Sequence, residues 1–246
     1  MRTSILGLAI LAVLVAACAP AQQSTTGRAV FALTDAAADM GAVSSVKVTV
    51  DSVRVHNDAQ GWVTVTSTPQ TYDLLALKAS GDTVLLADLQ LSEGSYQQIR
   101  LDISSVVVVD ENGTHDAKLP SGELKIVGGL DVEANTTSAV TFDFIADESL
   151  HVTGNGQYIM APVVKLETRT DADVEVSSDK RVEVSGGRVK TDIKVGMDVA
   201  GNVGVGLSIA KDAPLSVEGG KVKLGIGVGE ERKANASMKS EVDVTA

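Results

Sequence analysis

The chain has 246 residues, 44% hydrophobic and 22% charged, with 32 acids against 21 bases and a net charge of −11. A single cysteine rules out an internal disulfide scaffold, and the ordinary content of five prolines and 23 glycines rules out collagen-like repeats. So acidic a chain is also no general nucleic-acid binder, which needs a basic face to neutralise phosphates.

Arg2 stands ahead of an unbroken apolar or small run, Ile5 to Ala17, and Cys18 follows. The run is too short to cross about 30 Å of hydrocarbon, so residues 1–17 are expected to be a secretory signal peptide. Val15-Ala16-Ala17-Cys18 resembles the lipobox of prokaryotic lipoproteins. The resemblance implies cleavage before Cys18 and a diacylglyceryl thioether on its sulfur, of the kind that carries palmitate. Two acyl chains anchor stably where one does not. Residues 18–27, small and polar, then read as a lipidated tether. The expected location is the cell envelope, facing periplasm or exterior, with the membrane as partner through the lipid on Cys18.

From Arg28 onward the hydrophobic period is two. Val46, Val48 and Val50 alternate with polar residues, slip at Asp51-Ser52 and resume at Val53 and Val55, which predicts a β-bulge in a long strand. Further strands are expected at Trp62–Thr66, Tyr72–Leu77, Thr83–Leu91, Tyr96–Ile103, Val106–Asp110, Leu124–Val127, Val140–Ile145 and Tyr158–Leu166. Asn112-Gly113 predicts a two-residue hairpin turn, and Asp35 to Met40 one short helical turn. Strands at this spacing define an all-β fold, an antiparallel β-sandwich of immunoglobulin or transthyretin-like type over residues 28–170. Leu91-Ser92-Glu93-Gly94-Ser95-Tyr96 looks like a tyrosine corner, with the Tyr96 hydroxyl closing a turn onto upstream backbone.

Several segments carry a family resemblance when taken in order: Ala32-Leu33-Thr34-Asp35-Ala36, the Val46–His56 run, Gly61-Trp62, Tyr72–Leu77, Gly94–Leu101, Leu119-Pro120-Ser121, Phe142-Asp143-Phe144 and Tyr158–Val163. Together, over about residues 27 to 168, they resemble the bacterial and archaeal lipoprotein family of domain of unknown function 4382. Ala37 stands where that family often has proline. The resemblance implies a fold class and a location, but no chemistry.

Residues 171–246 differ in character, since every aromatic lies between Phe31 and Tyr158. Residues 182–196 align without gaps on 215–229, each copy reading strand, Gly-Gly, strand. The expectation is a small C-terminal β module of hairpin repeats ending in a charged tail. A hairpin pair cannot bury its aliphatic face alone, so the 181–229 sheet is expected to pack on the first domain, on a partner, or on a second copy of the chain. Ile193 and Ile226 are placed on the aliphatic face, where charged substitutions are expected to destabilise the segment if that face is buried.

Candidate chemistry is sparse. Cys18 is assigned to the anchor, and His56, His115 and His151 each sit beside an expected turn, as exposed loop residues. No nucleophile elbow, zinc-binding helix or phosphate loop is found, so the chain is expected not to be an enzyme; a glycoside hydrolase using paired carboxylates is the weakest alternative. No cofactor is required, although oxygen-rich loops holding Asp35 and Asp39, and Asp147 and Glu148, are candidates for Ca²⁺. The lone Trp62 is expected in the core, with a sugar-stacking platform as the alternative. The leading expectation is therefore a non-catalytic structural or interaction module with a protein or carbohydrate partner.

Overall fold

A computed structural model describes residues 25–36 and 40–225. The first strands are β1 (Thr26–Asp35), β2 (Ser45–Asn57), β3 (Gly61–Thr66) and β4 (Gln70–Asp73), followed by helix α1 (Leu74–Ser80). Then come β5 (Val84–Ser92), β6 (Gly94–Asp110), β7 (Gly113–Asp116), β8 (Glu123–Val132), β9 (Thr137–Phe144) and the short helix α2 (Ala146–Ser149). The chain continues through β10 (Leu150–Val152), β11 (Tyr158–Met160), β12 (Val163–Val176), β13 (Val182–Met197), β14 (Val203–Val205), β15 (Leu215–Glu218) and β16 (Lys221–Leu224). Cys18, Ala37, Asp39 and Ile226 lie outside the described residues, and with them the signal, the tether up to Ser24 and the tail.

The chain is an all-β sandwich. One sheet has the order β14-β13-β12-β9-β1-β5, and the other β3-β2-β6-β7, with β4 beside β2 and β8 beside β6. The inward residues are those the period of two selects: Phe31 and Leu33, Val53 and Val55, Ile99 and Leu101, Leu124 and Ile126, Phe142 and Phe144, Val164 and Leu166, all buried in one cluster. Each fully buried side chain of this size contributes roughly 1.5–3 kcal/mol. One ladder departs from the antiparallel expectation, because β1 and β9 run parallel from Arg28–Thr137 to Asp35–Phe144. The chain reaches β9 by crossing from the opposite sheet, so no tight hairpin forces reversal.

The slip at Asp51-Ser52 is a bulge, with the β2–β6 register shifting between Val50 and Ser52. Tyr72–Leu77 is a strand only as far as Asp73. Asp73 caps α1 by accepting from the Ala76 N–H at 3.4 Å, Leu74 and Leu77 bury one helical face, and Gly81 closes the end at φ 71°. The Asn112-Gly113 turn is displaced by one residue: Asp110 pairs with Gly113, and the Asp110 carboxylate accepts from the Asn112 N–H at 2.7 Å. That side-chain bond selects Glu111-Asn112 as the turn.

The division expected at residue 170 falls inside β12, which runs unbroken to Val176 and pairs with β13 along the same length. The two Gly-Gly copies also have different uses. Gly219-Gly220 is a hairpin turn between Glu218 and Lys221, at φ 58° and 76°. Gly186-Gly187 instead sits within β13 at φ 62° and 70°, opposite Asp171 at φ 55°. A Cβ on Gly187 would lie 2.8 Å from the Thr170 carbonyl oxygen, so this pair makes a kink that only glycine permits. Beyond it the β12–β13 arm folds over the outside of β1 and β5. Val174, Val176, Val182 and Val184 cover Val30, Ala32 and Leu85, and Leu85 N–H donates to the Lys180 carbonyl at 2.9 Å. The aliphatic face of the first copy is therefore covered within the chain. In the second copy Leu215 and Val222 are buried in the main core, and Ile193 of the first copy is partly buried against it.

The two sheets are stitched where β8 bulges against β12 and β13. Thr191 Oγ1 accepts from the Gly129 N–H at 2.9 Å and donates to the Gly129 carbonyl at 2.7 Å. Thr168 Oγ1 donates to the same carbonyl at 2.6 Å. One residue pair further on, Ser138 and Thr170 hydroxyls donate to the Asp131 carbonyl at 2.8 and 3.3 Å. Thr191→Val leaves the Gly129 N–H without its acceptor and is expected to lower unfolding free energy by roughly 1–3 kcal/mol. Thr168→Val leaves Gly129 bonded to Thr191 and should cost less; chemical denaturation of both variants checks the order.

Candidate functional site

The exposed face of the second sheet carries an unusual set of side chains. Val55, Ile99 and Ile126 point into the core, so their neighbours point out. Cross-strand register places Trp62, His56, Gln98 and Val127 in one row across β3, β2, β6 and β8. The next row is Thr64, Arg54, Arg100 and Lys125, and Ser52, Asp102 and Glu123 follow.

Trp62 is 39% exposed, which corrects the expectation of a core residue. Its partners on β3, Val63 and Val65, take the inward positions, and strand alternation sends the indole outward. The Arg100 guanidinium carbon lies 4.2 Å from the indole centroid and that of Arg54 5.7 Å. The His56 ring is 5.0 Å away, tilted by 60°. Carboxylates hold both guanidiniums in place. Arg54 Nη2 donates to the two Asp102 oxygens at 3.1 and 3.0 Å and to Glu123 at 3.2 Å. Arg100 Nη1 donates to Glu123 at 2.9 Å, and the Ser52 hydroxyl donates to Asp102. Lys125 is exposed beside them. The face is a fixed aromatic plate beside oriented donors and acceptors of both signs.

Sequence reasoning found Trp62 but not Arg54, Arg100 or Asp102. Strand alternation puts these on the same side as Trp62; only the pairing register, invisible in one strand at a time, puts them in adjacent rows.

The other expected residues fall elsewhere. Tyr96 is fully buried, and its hydroxyl donates to the Ser92 carbonyl at 3.0 Å, closing the corner before β6. Asp35 is 6% exposed and accepts from the Ala146 N–H at 3.2 Å, at the start of α2. Helix α2 carries Asp147 and Glu148, so the structure brings Asp35 to this segment. Their carboxylates nevertheless meet lysines: Asp147 lies 3.4 Å from Lys211 and Glu148 2.6 Å from Lys194. Among the described residues no three acidic, histidine or cysteine side chains converge as a metal set. An open cleft of about 570 Å³ lies at the arm, lined by Asp82, Asp173, Glu175 and Glu183 with Arg181.

The histidines are not loop residues. His56 lies on β2 and His115 on β7. His115 Nε2 lies 2.9 Å from Asp110, whose other oxygen accepts from the Tyr158 hydroxyl at 2.8 Å. Burial raises the Asp110 carboxyl, but hydrogen bonds from Tyr158, His115 and the Asn112 N–H outweigh it and bring it to about 2. His151 on β10 is 4% exposed, because strand pairing with Ile159 turns its ring inward.

These features define an all-β sandwich with an aromatic and charged outer face. The profile of the family described as "Domain of unknown function (DUF4382)" matches residues 26–162, more than half of the chain. The chain belongs to that family. No curated protein and no solved structure matches it. The matched stretch contains the whole Trp62 face and ends just before β12.

Two outcomes follow. Trp62→Ala is expected to lower unfolding free energy by about 1 kcal/mol or less, since it removes a surface contact and not a core side chain, whose loss costs about 3–5 kcal/mol; denaturant unfolding distinguishes the two. Burial pushes the His151 imidazole below its ordinary 6.5, so the unfolded chain takes up a proton that the folded chain refuses. Its contribution to stability is fully present above pH 6.5 and falls as pH drops below that value. The stability loss between neutral and mildly acidic pH should be smaller in His151→Phe than in the wild type.

Proposed function

We propose that the protein is a non-catalytic, lipid-anchored module of the cell envelope that meets its partner through the Trp62 face. The observation that carries the location is the position of Cys18, the chain's one cysteine, directly after Val15-Ala16-Ala17 at the end of a short apolar run. Thr25 enters the fold at the edge of β1, where its carbonyl accepts from the Glu93 N–H at 2.7 Å. Residues 18–25 reach at most about 28 Å when extended, so a lipid on Cys18 holds this end of the sandwich near the bilayer.

The contact role rests on the exposed indole and its fixed guanidiniums. A lone Trp is a large apolar surface to leave in water, and two arginines held by carboxylates present oriented donors at little further loss of side-chain freedom. The non-catalytic reading is supported by the histidines: His151 is enclosed, and His115 is engaged by Asp110 beside the Tyr158 ring, 5.5 Å away. No nucleophile in the sequence sits in a recognisable activating motif.

Labelled palmitate supplied to cells expressing the protein should enter the wild type and not Cys18→Ser, and the wild type should fractionate with membranes. Equal labelling of both, or a soluble wild type that begins at Met1, would reject the anchor.

A further inference from the structure

We infer that the Trp62 face binds a sugar chain, with one pyranose stacked on the indole and its hydroxyls bonded by the Arg54, Asp102 and Glu123 cluster. This rests on the reading of that face as the contact surface and gives the surface its ligand class.

The first observation is the pairing of charges. Asp102 and Glu123 neutralise Arg54 and Arg100 at 2.9–3.2 Å, which leaves no strong field of one sign for a polyanion or an anionic bilayer. What remains is a dense set of donors and acceptors in fixed orientation. A carboxylate accepts from a hydroxyl while the adjoining guanidinium donates to the next, so vicinal hydroxyls satisfy both at once. A protein side chain carries no such pair of neighbouring hydroxyls.

The second observation is the aromatic plate. Pyranose rings present a face of C–H groups, and burying that face on an indole releases water from both. Arg100 and His56 lie against parts of the ring, and Trp62 keeps 39% of its surface in solvent for a sugar to cover. From Trp62 on β3 to Val127 on β8 the row crosses three strand spacings, about 14 Å, so further sugar units can run across Gln98 to Val127, which is 66% exposed.

The third is the Arg100 Nε–H, which is buried and has no hydrogen-bond partner among the described residues. A buried donor left unmet is disfavoured, and it lies in the side chain stacked on Trp62. A hydroxyl at the rim of the plate, or a water held by it, meets this donor only when the guanidinium shifts on the indole.

Trp62 is the only tryptophan in the chain, so its emission reports on this site alone. The full mature chain would be titrated with neutral oligosaccharides (cello-, xylo- and manno-hexaose), oligogalacturonate, inorganic polyphosphate, and vesicles of phosphatidylcholine with phosphatidylglycerol. The expected result is a saturable emission change with at least one oligosaccharide. The change should survive about 0.5 M NaCl, where exposed charge pairs are screened. It should weaken by about tenfold in Arg54→Gln, the scale of one lost bond to a charged group. Exposed Lys47→Gln, at a position that pairs with Asp73 and Val107 at the far end of β2 from Trp62, should change affinity little. Binding of polyphosphate or vesicles but no oligosaccharide would overturn the sugar assignment and leave the contact surface standing. So would binding that is abolished by salt. No response to any probe, in protein whose melting is cooperative, would overturn both the ligand class and the contact surface, with the lipid anchor judged separately by palmitate labelling.

Discussion

The sandwich depends on a polar contact in an otherwise apolar interior. Where β8 bulges at Gly128-Gly129, its backbone leaves the ladder with β6, the register shifting between Tyr96 and Gln98. A bulge frees amide groups that need partners once buried. Thr191 supplies both, accepting from and donating to Gly129, and Thr168 adds a second donor. Space is tight at this point: a Cβ on Gly128 would stand 3.2 Å from a Thr191 methyl and 3.4 Å from Leu166, so these side chains would have to give way. The inward positions of β12 accordingly change from Val164 and Leu166 to Thr168 and Thr170, as packing against side chains gives way to packing against backbone. Hydroxyl groups thus tie the two sheets together at this edge of the apolar core.

A second constraint acts through β1. Its inward residues Phe31 and Leu33 belong to the main core, and its outward residues Val30 and Ala32 are covered by the arm. A strand buried on both faces must be flanked on both edges as well, and β5 and β9 do this. The kink at Gly186-Gly187 turns the arm back across β1, and Arg28 secures it by donating to the Val174 carbonyl at 3.1 Å. The arm therefore shields one sheet on its outside at β1 and β5, leaving Lys165 of β12 and Lys194 of β13 in solvent, and the other sheet is left with its whole outer face in solvent. That asymmetry is what makes the Trp62 face available.

Strand positions and the core were largely legible in the sequence, because alternation with period two is a local signal. The Asp51-Ser52 slip and the Tyr96 corner were legible for the same reason: each is written within a few adjacent residues. The parts that escaped depend on contacts far along the chain. Leu74 to Leu77 fits a strand or a helix by composition, and the cap from Asp73 with the stop at Gly81 decides it. Identical Gly-Gly pairs became a turn at 219–220 and a kink at 186–187, since only the second lies opposite a left-handed Asp171 and against a strand able to accept an arm. His151 read as a loop residue until β10 paired with β11. Trp62 was noticed as a candidate, but its exposure and its arginine neighbours are products of the β3-β2-β6-β8 register.

That register also exposes a conflict between stability and surface chemistry. Arg54 faces Arg100 directly across β2 and β6, and Arg100 faces Lys125 across β6 and β8. Like charges placed opposite one another destabilise a sheet, and an exposed strand face tolerates almost any alternation of polar residues. Asp102 and Glu123 relieve the repulsion only from the neighbouring row, and in doing so draw the guanidiniums into a defined geometry against Trp62. A sheet selected for stability alone has no use for three cations in line beside its only exposed indole. Local rules fail together in this way at sites shaped by something outside the fold, and on this chain they fail together on the outer face of the second sheet.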